Sequence, residues 1–451
     1  MKTFDICDYG AVGDGQTLNT QAIQKAANAC RDAGGGVVRI PGGRFLTGIF
    51  ELFGNTTLLV EKDGRLIASP RMEDHWVDGA SVGLLYVRDA HDVVLTGEGV
   101  LDGNGLTFFE ENTLNDTNDY AICDTWQKRH GLPYGTKETI HGPFGWRNRP
   151  GNMAVFARCR NVRIEKLTVT GAAYWTIHCS DCEDVLVENL RIDNDPRIPN
   201  NDGIHFTTCR RVAVRNCHFV CGDDCIAATG FREAGGEKQI AFGLSGIVGV
   251  CEDIEVSDCV LISRSAGVRI GYGQNPVRNV RLRRLDIRES NRGIGIFARQ
   301  ADAEDILVED CRIQTQLFHG HWWGRGEPIQ LSAVRFPGDP NLFHIRRVTL
   351  RNIEATGENA VVLFAEEPGF IDDVKMINVR STLKRGELFE AWGGNLDLRP
   401  FADEARSIMA GGTAPLWAVG VSHLQCENCQ WTLADKNEAT FTPEMVIQEN
   451  P

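Results

Sequence analysis

One short pattern returns along most of this chain and limits the folds that the chain can adopt. The pattern is a small residue or Cys, two polar residues, and then alternating apolar residues, as in CRNVRI at 159–164 and CEDVLV at 182–187. Its first apolar residue recurs at intervals of 23, 27, 42, 26, 26, 42 and 26 residues, at Val162, Val185, Val212, Ile254, Val280, Ile306, Val348 and Val374. A unit of about 22–27 residues with occasional insertions predicts an all-β chain folded as a parallel β-solenoid. Leucine-rich repeats have a similar period, but their L-x-x-L-x-L-x-x-N signature is missing.

The N-terminal segment departs from the repeat. Residues 19–33 read NTQAIQKAANACRDA, which is rich in Ala, begins with Asn and Thr, and is followed by three glycines. This pattern predicts a helix. A helix at this place would cap the open end of the solenoid, as terminal units of repeat proteins must.

The chain reads as one domain over residues 1–451. We expect the N-terminal cap and first coils in 1–50, the main coils in 51–383, and a C-terminal extension or cap in 384–451. Insertions near 105–150, 229–249 and 314–343 are too long for tight turns, so we expect loops over one face of the solenoid.

Composition excludes several classes of partner. The formal net charge is −14 at pH 7, whereas nucleic acids and anionic membranes call for a basic surface. No apolar run approaches the 18 residues of a membrane span, and the N-terminus, MKTFDICDYGAVGDG, lacks an apolar core of signal-peptide length. With 15 cysteines, the economical expectation is a cytoplasmic protein with reduced thiols. The sequence leaves open whether it forms a homo-oligomer.

The cysteines also raise the question of a metal site, because Cys179 and Cys182 have C-x-x-C spacing. Cysteines recur at equivalent turn positions of the repeat, however, so we expect them to fill stacked turns as small, mostly apolar side chains. We therefore expect no metal and no cofactor.

Chemistry-bearing residues gather when the coils are aligned on one inward column. That column contains Ile177, Ile204, Ile226, Val268 and Ile294. Side chains alternate along a strand, so the next residue of each coil points outward. The outward column contains His178, His205, Ala227, Arg269 and Gly295. Asp202 and Asp224 lie two positions before the inward residue of adjacent coils, and Asp223 lies beside Asp224.

Three carboxylates at one place have a known chemical use. Hydrolysis of a glycosidic bond needs one carboxylic acid to protonate the leaving oxygen and another carboxylate to activate water or attack carbon. Close like charges raise at least one pKa, which supplies the protonated member. The alternative is that Asp-Gly and Gly-Asp-Asp simply begin turns.

The motifs NDG at 201–203 and GDDC at 222–225 resemble the N-T-D and G-D-D motifs of glycoside hydrolase family 28, the polygalacturonase family. The similarity runs from DYGAVGDG at 8–15 through VLDGNG, RP and WTIH to about Arg299, roughly two thirds of the chain. The resemblance implies a single-stranded right-handed parallel β-helix and a metal-independent inverting mechanism. It also implies that Asp223 is the general acid and that Asp202 and Asp224 hold and activate water.

Two departures from the family bear on the substrate. Ala266 stands where the family's G-H-G motif has His, and Gly295-Ile296-Phe297 stands in place of R-I-K, so the cations that meet a uronate in polygalacturonases are missing. Losing one charge-assisted contact costs about 1.5–3 kcal/mol. One interpretation, which we favour, is that the sugar facing Phe297 is not a galacturonate. The other is that the arginines nearby supply the charge, namely Arg264, Arg269 or Arg299.

A second candidate region is FHGHWWGRGEP at 318–328. Aromatic faces stack on sugars, and charged groups bind hydroxyls, so we expect Trp322, Trp323 and Glu327 to contribute to a sugar subsite. The alternative for the two tryptophans is core filling beneath a loop. His319 and His321 could bind a metal, but no further ligands are visible in the sequence.

These observations predict a cytoplasmic glycosidase that acts on imported pectin-type or related plant-glycan oligosaccharides. Long insertions beside the site favour exo cleavage, because they could close one end of the cleft. The outward column supplies the expected substrate-binding residues His178, His205 and Arg269, joined by Arg299. Two alternatives stay open: a polysaccharide lyase or epimerase on the same fold, and a non-catalytic carbohydrate-binding solenoid.

Overall fold

The structure is a computed structural model of the 451-residue chain. It describes residues 1–114, 144–146, 148–232, 246–318, 322–336, 338–389, 395–397, 408–410, 414–434 and 445–448. His319 and His321 lie outside these residues, as do the central parts of the insertions predicted near 105–150 and 229–249.

The described strands coil into two long parallel sheets. One sheet has 12 described strands, which are Phe50–Leu52, Leu85–Arg88, Ala154–Ala157, Ile177–Ser180, Ile204–Thr207, Ile226–Gly230, Ala266–Gly273, Arg292–Ala298, Glu327–Ala333, Val361–Ala365, Leu416–Val419 and Val446–Gln448. We call it the site sheet. Successive strands of the site sheet come from successive coils, as a solenoid requires.

The second sheet covers the other faces of the coil and has 23 described strands. They are Thr3–Asp5, Asp14–Leu18, Gly36–Ile40, Gly43–Thr47, Thr56–Val60, Gly64–Ala68, His91–Gly97, Val100–Asp102, Arg160–Glu165, Thr168–Thr170, Glu183–Glu188, Arg191–Asp193, Arg210–Arg215, His218–Cys221, Cys251–Ser257, Val260–Ser263, Val277–Arg283, Asp286–Ser290, Ala303–Thr315, Ile345–Gly357, Ile371–Leu383, Val421–Glu427 and Gln430–Leu433.

Short elements lie outside the two sheets. Among the residues that the structure covers, antiparallel pairs join Trp76–Val77 to Ala80–Ser81, Phe109–Leu114 to Phe144–Trp146, and Asn395–Asp397 to Ile408–Ala410. The described helices are α1 at Thr20–Asp32 and 3-10 turns at Ile6–Tyr9, Met72–His75 and Gly105–Phe108. The predicted fold class, a right-handed parallel β-helix with an N-terminal helix, is confirmed.

Equivalent positions of the sequence repeat pair with each other between neighbouring strands of the second sheet. Val162 pairs with Val185, Val185 with Val212, and the ladder continues through the predicted positions to Val374. Val93 precedes this ladder and Leu424 extends it. These side chains are buried where they face the interior, so each coil hides its apolar face against the next.

The second polar position of the repeat turns the chain. Residues at this position have φ between +51° and +58°, and they are Asp92, Asn161, Asp184, Arg211, Asp253, Asn279, Asp305, Arg347 and Asp373. Asn and Asp tolerate this left-handed conformation better than other side-chain-bearing residues. The two arginines are each held by the preceding coil, since Arg211 Nε donates to Asp184 Oδ1 (2.7 Å) and Arg347 Nε donates to Asp305 Oδ1 (2.6 Å).

The predicted helix is α1, Thr20–Asp32. Its apolar face packs on the solenoid interior and contains Ala22, Ile23, Ala26, Ala27 and Cys30. Asn19 does not cap the helix with its side chain. Its amide donates instead to the carbonyls of Val12 (3.1 Å) and Thr17 (2.6 Å) and so ties the helix to the first coil.

The turn cysteines are buried as predicted; Cys159, Cys182, Cys209 and Cys251 are 0% exposed. The single-domain division of the chain and its internal boundaries stay predictions. Among the described residues, no helix has the length and apolar composition that crossing a bilayer requires.

Candidate active site

The site forms where three successive coils enter the site sheet. Asp202 lies just before Ile204–Thr207, Asp223 and Asp224 lie just before Ile226–Gly230, and Ser265 lies just before Ala266–Gly273. The predicted outward column is confirmed by the register, in which His178 pairs with His205, His205 with Ala227, Ala227 with Arg269, and Arg269 with Gly295.

Two glycines allow the carboxylate turns to stack closely. A Cβ on Gly203 would lie 2.4 Å from the Cys225 carbonyl oxygen, and a Cβ on Gly222 would lie 2.1 Å from the Ile198 carbonyl oxygen. Gly222 N also donates to Asn201 Oδ1. The glycines of the NDG and GDDC motifs are therefore needed for close backbone approach.

The three carboxylates meet as predicted. One carboxylate oxygen from each of Asp202, Asp223 and Asp224 lies within 4.8 Å of the others. All three residues are buried, and Asp223 is the most exposed at 6%. The sequence prediction that consecutive coils bring these acids together is confirmed.

Asp224 is held as an ion pair. Its Oδ1 accepts hydrogen bonds from Ser265 Oγ (2.8 Å) and the Ala266 backbone N–H (3.0 Å). Its Oδ2 accepts from Arg269 Nε. The segment that lacks the family's histidine therefore still supports the site, through a hydroxyl and a backbone amide.

Asp223 has a different environment from Asp224. Burial and the neighbouring charge of Asp224 raise the pKa of Asp223 to about 8. Asn200 Nδ2 donates to its Oδ2 (3.3 Å), and the Asp224 backbone N–H donates to its Oδ1 (2.9 Å). A carboxyl with this pKa carries its proton at neutral pH and can serve as a general acid.

Asp202 is the deepest of the three, at 1% exposed. Burial, followed by the charges of Asp223 and Asp224, raises its pKa well above the usual range. Neither of its carboxylate oxygens forms a hydrogen bond with any residue that the structure describes. Two cationic or titratable groups approach its Oδ2: His205 Nδ1 lies at 3.6 Å and Arg269 Nη2 at 3.8 Å.

Sequence reasoning missed two residues that orient Asp223. Arg149 is buried and donates to the carbonyls of Ala173 (3.0 Å) and Pro199 (2.6 Å) and to Asn200 Oδ1 (2.7 Å). This contact turns the amide nitrogen of Asn200 toward Asp223. The only sequence signals were the RP dipeptide at 149–150 and the second Asn before Asp202.

His178 and His205 are both 0% exposed, so their rings are covered by other side chains, and their assignment to substrate binding stays a prediction. Trp175 stacks on His205, with ring centroids 3.8 Å apart at 29°, and lies edge-on to His178. The alternation that directs both side chains away from the interior was correct. What it could not show is that other side chains cover them.

Two further predicted subsite residues are also covered. Trp322 is 0% exposed, which favours the alternative that it fills the interior beneath its loop. Glu327 is also fully buried, and its Oε2 accepts from the Arg325 backbone N–H (2.6 Å) and lies 3.9 Å from Arg292 Nε. Trp323 is half-buried, and its assignment to a subsite stays a prediction.

The three arginines that could replace the missing uronate contact have different partners in the structure. Arg269 is engaged by Asp224. Arg264 stacks on Phe318, 3.7 Å from the ring centroid, and burial lowers its pKa to about 10. Arg299 lies between Tyr272 (4.6 Å) and Phe336 (3.8 Å).

Side chains fill the space at Gly295-Ile296-Phe297, where the family has its R-I-K motif. Phe297 is 1% exposed and meets Tyr272 edge-on, with ring centroids 5.3 Å apart. A Cβ at Gly295 would lie 2.5 Å from the Phe297 ring and 3.2 Å from Arg292 Cδ. Tyr272, which sequence reasoning missed, adopts φ +73° and contacts Arg269 and Arg299 with its ring.

Carboxylate oxygens this close could also hold a metal ion. Here the guanidinium of Arg269 already bonds to Asp224 and lies near Asp202. A fixed cation against two of the three carboxylates makes this set a poor fit for a divalent ion.

The outer face of the site sheet is covered on both sides of the carboxylates. Toward the N-terminus it is packed by a cluster of Ala80, Val82, Tyr86, Val155, Ala157 and Ile247. Toward the C-terminus it is packed by a cluster of Val334, Ala360, Val362, Phe364, Leu396, Trp417 and Val419. The part of this face around the acids is therefore bounded along the solenoid axis.

Comparison with known proteins matches the part of the chain that contains the three carboxylates. The model of glycosyl hydrolases family 28 matches residues 72–307. A probable polygalacturonase from Vitis vinifera is 27% identical over 312 residues, covering 59% of this chain and 56% of the relative. An exopolygalacturonase from Zea mays is 27% identical over 282 residues, covering 59% of this chain and 62% of the relative. The match thus spans less than two thirds of either relative.

Solved structures share the fold. An exopolygalacturonase from Thermotoga maritima superimposes with a TM-score of 0.59 at 24% identity, covering 86% of this chain and 88% of that one. The matched residues 72–307 make up more than half of the chain and include all three carboxylates, their glycines and Arg269. The chain belongs to glycosyl hydrolases family 28.

Proposed function

We propose that the protein is a glycoside hydrolase that cleaves a glycosidic bond in a pectin-type or related plant-glycan oligosaccharide by an inverting acid/base mechanism. One observation carries the proposal: three carboxylates meet at one place, where Asp224 is ion-paired with Arg269 and the pKa of Asp223 is raised to about 8. Two carboxyls with opposed environments divide the acid and base roles. Family membership supports the same activity.

The reaction follows from these roles. Asp223 transfers its proton to the glycosidic oxygen, the bond from that oxygen to the anomeric carbon breaks, and the leaving sugar departs as an alcohol. A water molecule held by Asp202 and Asp224 forms the new bond to the anomeric carbon and gives its proton to one of these carboxylates. Family resemblance implies that the water attacks from the face opposite the leaving group.

Two features support inversion. Both oxygens of Asp224 are engaged by hydrogen bonds, so neither is poised to attack carbon. Asp202 is 1% exposed, which admits water more readily than a sugar carbon. The spacing of oxygens within 4.8 Å points the other way, because inverting enzymes usually keep their carboxyl groups about 6.5–9.5 Å apart. Proton NMR of the fresh product measures its anomeric configuration, and a retained configuration would refute inversion.

Exo cleavage is the second part of the proposal. The packed clusters on both sides of the carboxylates bound the outer face of the site sheet, which favours binding of a chain end. The Thermotoga maritima and Zea mays proteins are both named as exopolygalacturonases. Digestion of a defined, end-labelled oligosaccharide should release terminal units first, and early mid-chain fragments would contradict this expectation.

The substrate is a related glycan rather than pure galacturonan. At the place where the family's R-I-K motif would meet a uronate, Phe297 and Arg292 fill the space at Gly295, and Arg269 is engaged by Asp224. We therefore propose a sugar other than galacturonate at this subsite, as in rhamnogalacturonan-type oligosaccharides. Faster hydrolysis of oligogalacturonates than of rhamnogalacturonan fragments would contradict this choice.

Asp223→Asn tests the proposal as a whole. The variant should lose turnover on a panel of plant oligosaccharides, measured by reducing-end release, while retaining sugar binding by calorimetry. Wild-type protein that binds sugars but hydrolyses none would instead support a non-catalytic solenoid. An unsaturated product that absorbs in the ultraviolet and depends on calcium would support a lyase.

We also propose that the protein acts in the cytoplasm. The described thiols are free, and several are buried side by side, with Sγ of Cys182 accepting from the Cys159 backbone N–H at 3.4 Å. Reduced, stacked thiols suit a reducing compartment. Fractionation of the native host with an antibody against the protein would test this, and recovery outside the cytoplasm would refute it.

A further inference from the structure

Two buried polar atoms face each other beneath the carboxylates. His205 Nδ1 lies 3.6 Å from Asp202 Oδ2, and within the described part of the chain neither atom has a hydrogen-bond partner. His205 is 0% exposed and Asp202 is 1% exposed, so water does not readily satisfy them. A buried polar atom without a partner is costly, which favours a contact between these two.

The other nitrogen of His205 ends a directed chain of hydrogen bonds. The chain starts at Asn152 Nδ2, which as an amide NH2 group can only donate, and lies 2.9 Å from His178 Nδ1. His178 Nδ1 is therefore the acceptor, and in a neutral ring the proton is on Nε2. Nε2 then donates to Thr207 Oγ1 at 3.1 Å.

The direction continues through two hydroxyls. Thr207 Oγ1 lies 3.2 Å from Thr229 Oγ1, and Thr229 Oγ1 lies 2.9 Å from His205 Nε2. Because Thr207 already accepts from His178, its proton points to Thr229. Two acceptors lie near the hydroxyl of Thr229, namely His205 Nε2 at 2.9 Å and the Phe206 carbonyl oxygen at 3.5 Å, and the shorter contact takes its proton. That nitrogen is the acceptor, so a neutral His205 carries its proton on Nδ1, toward Asp202.

His205 is kept neutral by what surrounds it. Burial, followed by the positive charge of Arg269 and the competing imidazole of His178, lowers the pKa of His205 well below the usual range. The charged and titratable groups that face it are Asp202 from its own coil, His178 from the preceding coil, and Arg269 from two coils further on. Trp175 covers one ring face and fixes the ring plane.

We infer that His205 is a positioning residue that donates its Nδ1–H to Asp202 and holds that carboxylate ionised for its work as a base. This rests on the proposed function, since it assigns a cause to the competence of one carboxylate in that mechanism. A hydrogen bond from His205 stabilises the ionised carboxylate of Asp202. It therefore counteracts burial and the charges of the two neighbouring carboxylates, which otherwise favour a protonated Asp202. It also places an imidazole beside the acids in a chain where Ala266 replaces the family's histidine.

Two substitutions at His205 distinguish the roles of its two ring nitrogens. The amide nitrogen of His205→Asn lies near the place of Nδ1 and keeps a donor toward Asp202, whereas that of His205→Gln lies near the place of Nε2 and keeps only the Thr229 contact. We expect His205→Gln to lower kcat about 10-fold or more with little change in KM, and to move the acidic limb of the pH profile upward. His205→Asn should retain most of kcat and the wild-type limb.

His75→Gln is the matched control. His75 is equally buried, and its two nitrogens contact the carbonyl oxygens of Val82 (3.1 Å) and Ser69 (2.7 Å), away from the acids. This variant should lose stability without moving the pH profile. If His205→Gln behaves like His75→Gln, the role of His205 is structural and the inference is refuted.

A measurement without turnover separates this inference from the proposed function. NMR of the full chain labelled with ¹⁵N-histidine should show a neutral His205 protonated at Nδ1, assigned by comparison with His205→Asn. Asn152→Asp, whose carboxylate can only accept, should reverse the chain and move the proton to Nε2. A bare Nδ1 in the wild-type protein overturns the inference whether or not the protein is active. A protonated Nδ1 in a protein that hydrolyses no oligosaccharide overturns the proposed function alone.

Discussion

At the scale of single residues, the site works through unequal environments of chemically identical side chains. Asp223 and Asp224 are neighbours in sequence, yet one faces a neutral amide and the other a guanidinium. The difference arises because Arg269, two coils from Asp202, reaches back along the outward column past Ala227. A small residue at 227 leaves that path open.

The raised pKa of Asp223 predicts that both activity and stability fall as pH rises, each over its own pH range. In the proposed role of general acid, Asp223 must be protonated, so kcat/KM should fall above about pH 8. A folded-state pKa above the unfolded value favours the protonated fold, so this residue destabilises the protein progressively as pH rises from about 4 to about 8. Melting temperatures of Asp223→Asn should therefore exceed those of wild type by an amount that grows over this window, on the order of a few degrees. A constant difference would contradict the prediction.

Arg269 is expected to be essential to the carboxylate set. Replacing it by Gln removes the charge that holds Asp224 and leaves three buried acids without their cation. Loss of a charge-assisted hydrogen bond of about 1.5–3 kcal/mol predicts a fall in kcat of about 10- to 100-fold. Arg278→Gln, which breaks an exposed pair with Glu252 at 2.7 Å, should change neither kcat nor KM. Equal kinetics for both variants would show that Arg269 is not part of the site.

At the scale of elements, close stacking of turns decides where the acids lie. The turn that bears Asp223 approaches the backbone near Ile198 so closely that only Gly fits at 222. The same crowding fixes Asn201, which accepts from Gly222 and donates to the Asp195 carbonyl oxygen (2.8 Å). The motif glycines thus act on catalytic geometry through backbone spacing.

Gly222→Ala tests that spacing. The added Cβ would lie 2.1 Å from the Ile198 carbonyl oxygen, so the turn must shift, at a cost of about 1–3 kcal/mol in unfolding free energy and with loss of activity. Gly42→Ala is the control, because its Cβ would meet only Asp63 Cβ at 3.5 Å. Chemical denaturation and kcat measure both effects. A fully active Gly222→Ala protein would show that the turn tolerates movement.

At the scale of the whole molecule, the solenoid makes stability local. Each coil contacts its neighbours in the stack, so the ends depend on their caps and the centre does not. Helix α1 buries Ile23 against the first coils, whereas the site lies many coils away along the same interior.

Ile23→Ala should loosen the N-terminal coils selectively. Removal of a fully buried Ile side chain costs about 2–5 kcal/mol. Hydrogen exchange should rise in Gly36–Ile40, while Ile226–Gly230 keeps its protection and the protein keeps its proposed glycosidase activity. Leu18→Ala, at a position 42% exposed, is the control and should change neither strand. A uniform rise in exchange over both strands would show instead that the solenoid unfolds as a single unit.

The sequence by itself determined the coil, its register, the helix at its start and the meeting of Asp202, Asp223 and Asp224. These follow from periodicity, because a stacked strand repeats each residue's direction from one coil to the next. Only the tertiary structure decided which outward side chains stay accessible. It buries His178, His205, Trp322 and Glu327, and it commits Arg269 to Asp224, because these outcomes depend on side chains and loops that pack over the face from distant parts of the chain. Periodicity fixes direction along a strand, but burial and partnership arise from contacts that no local pattern encodes.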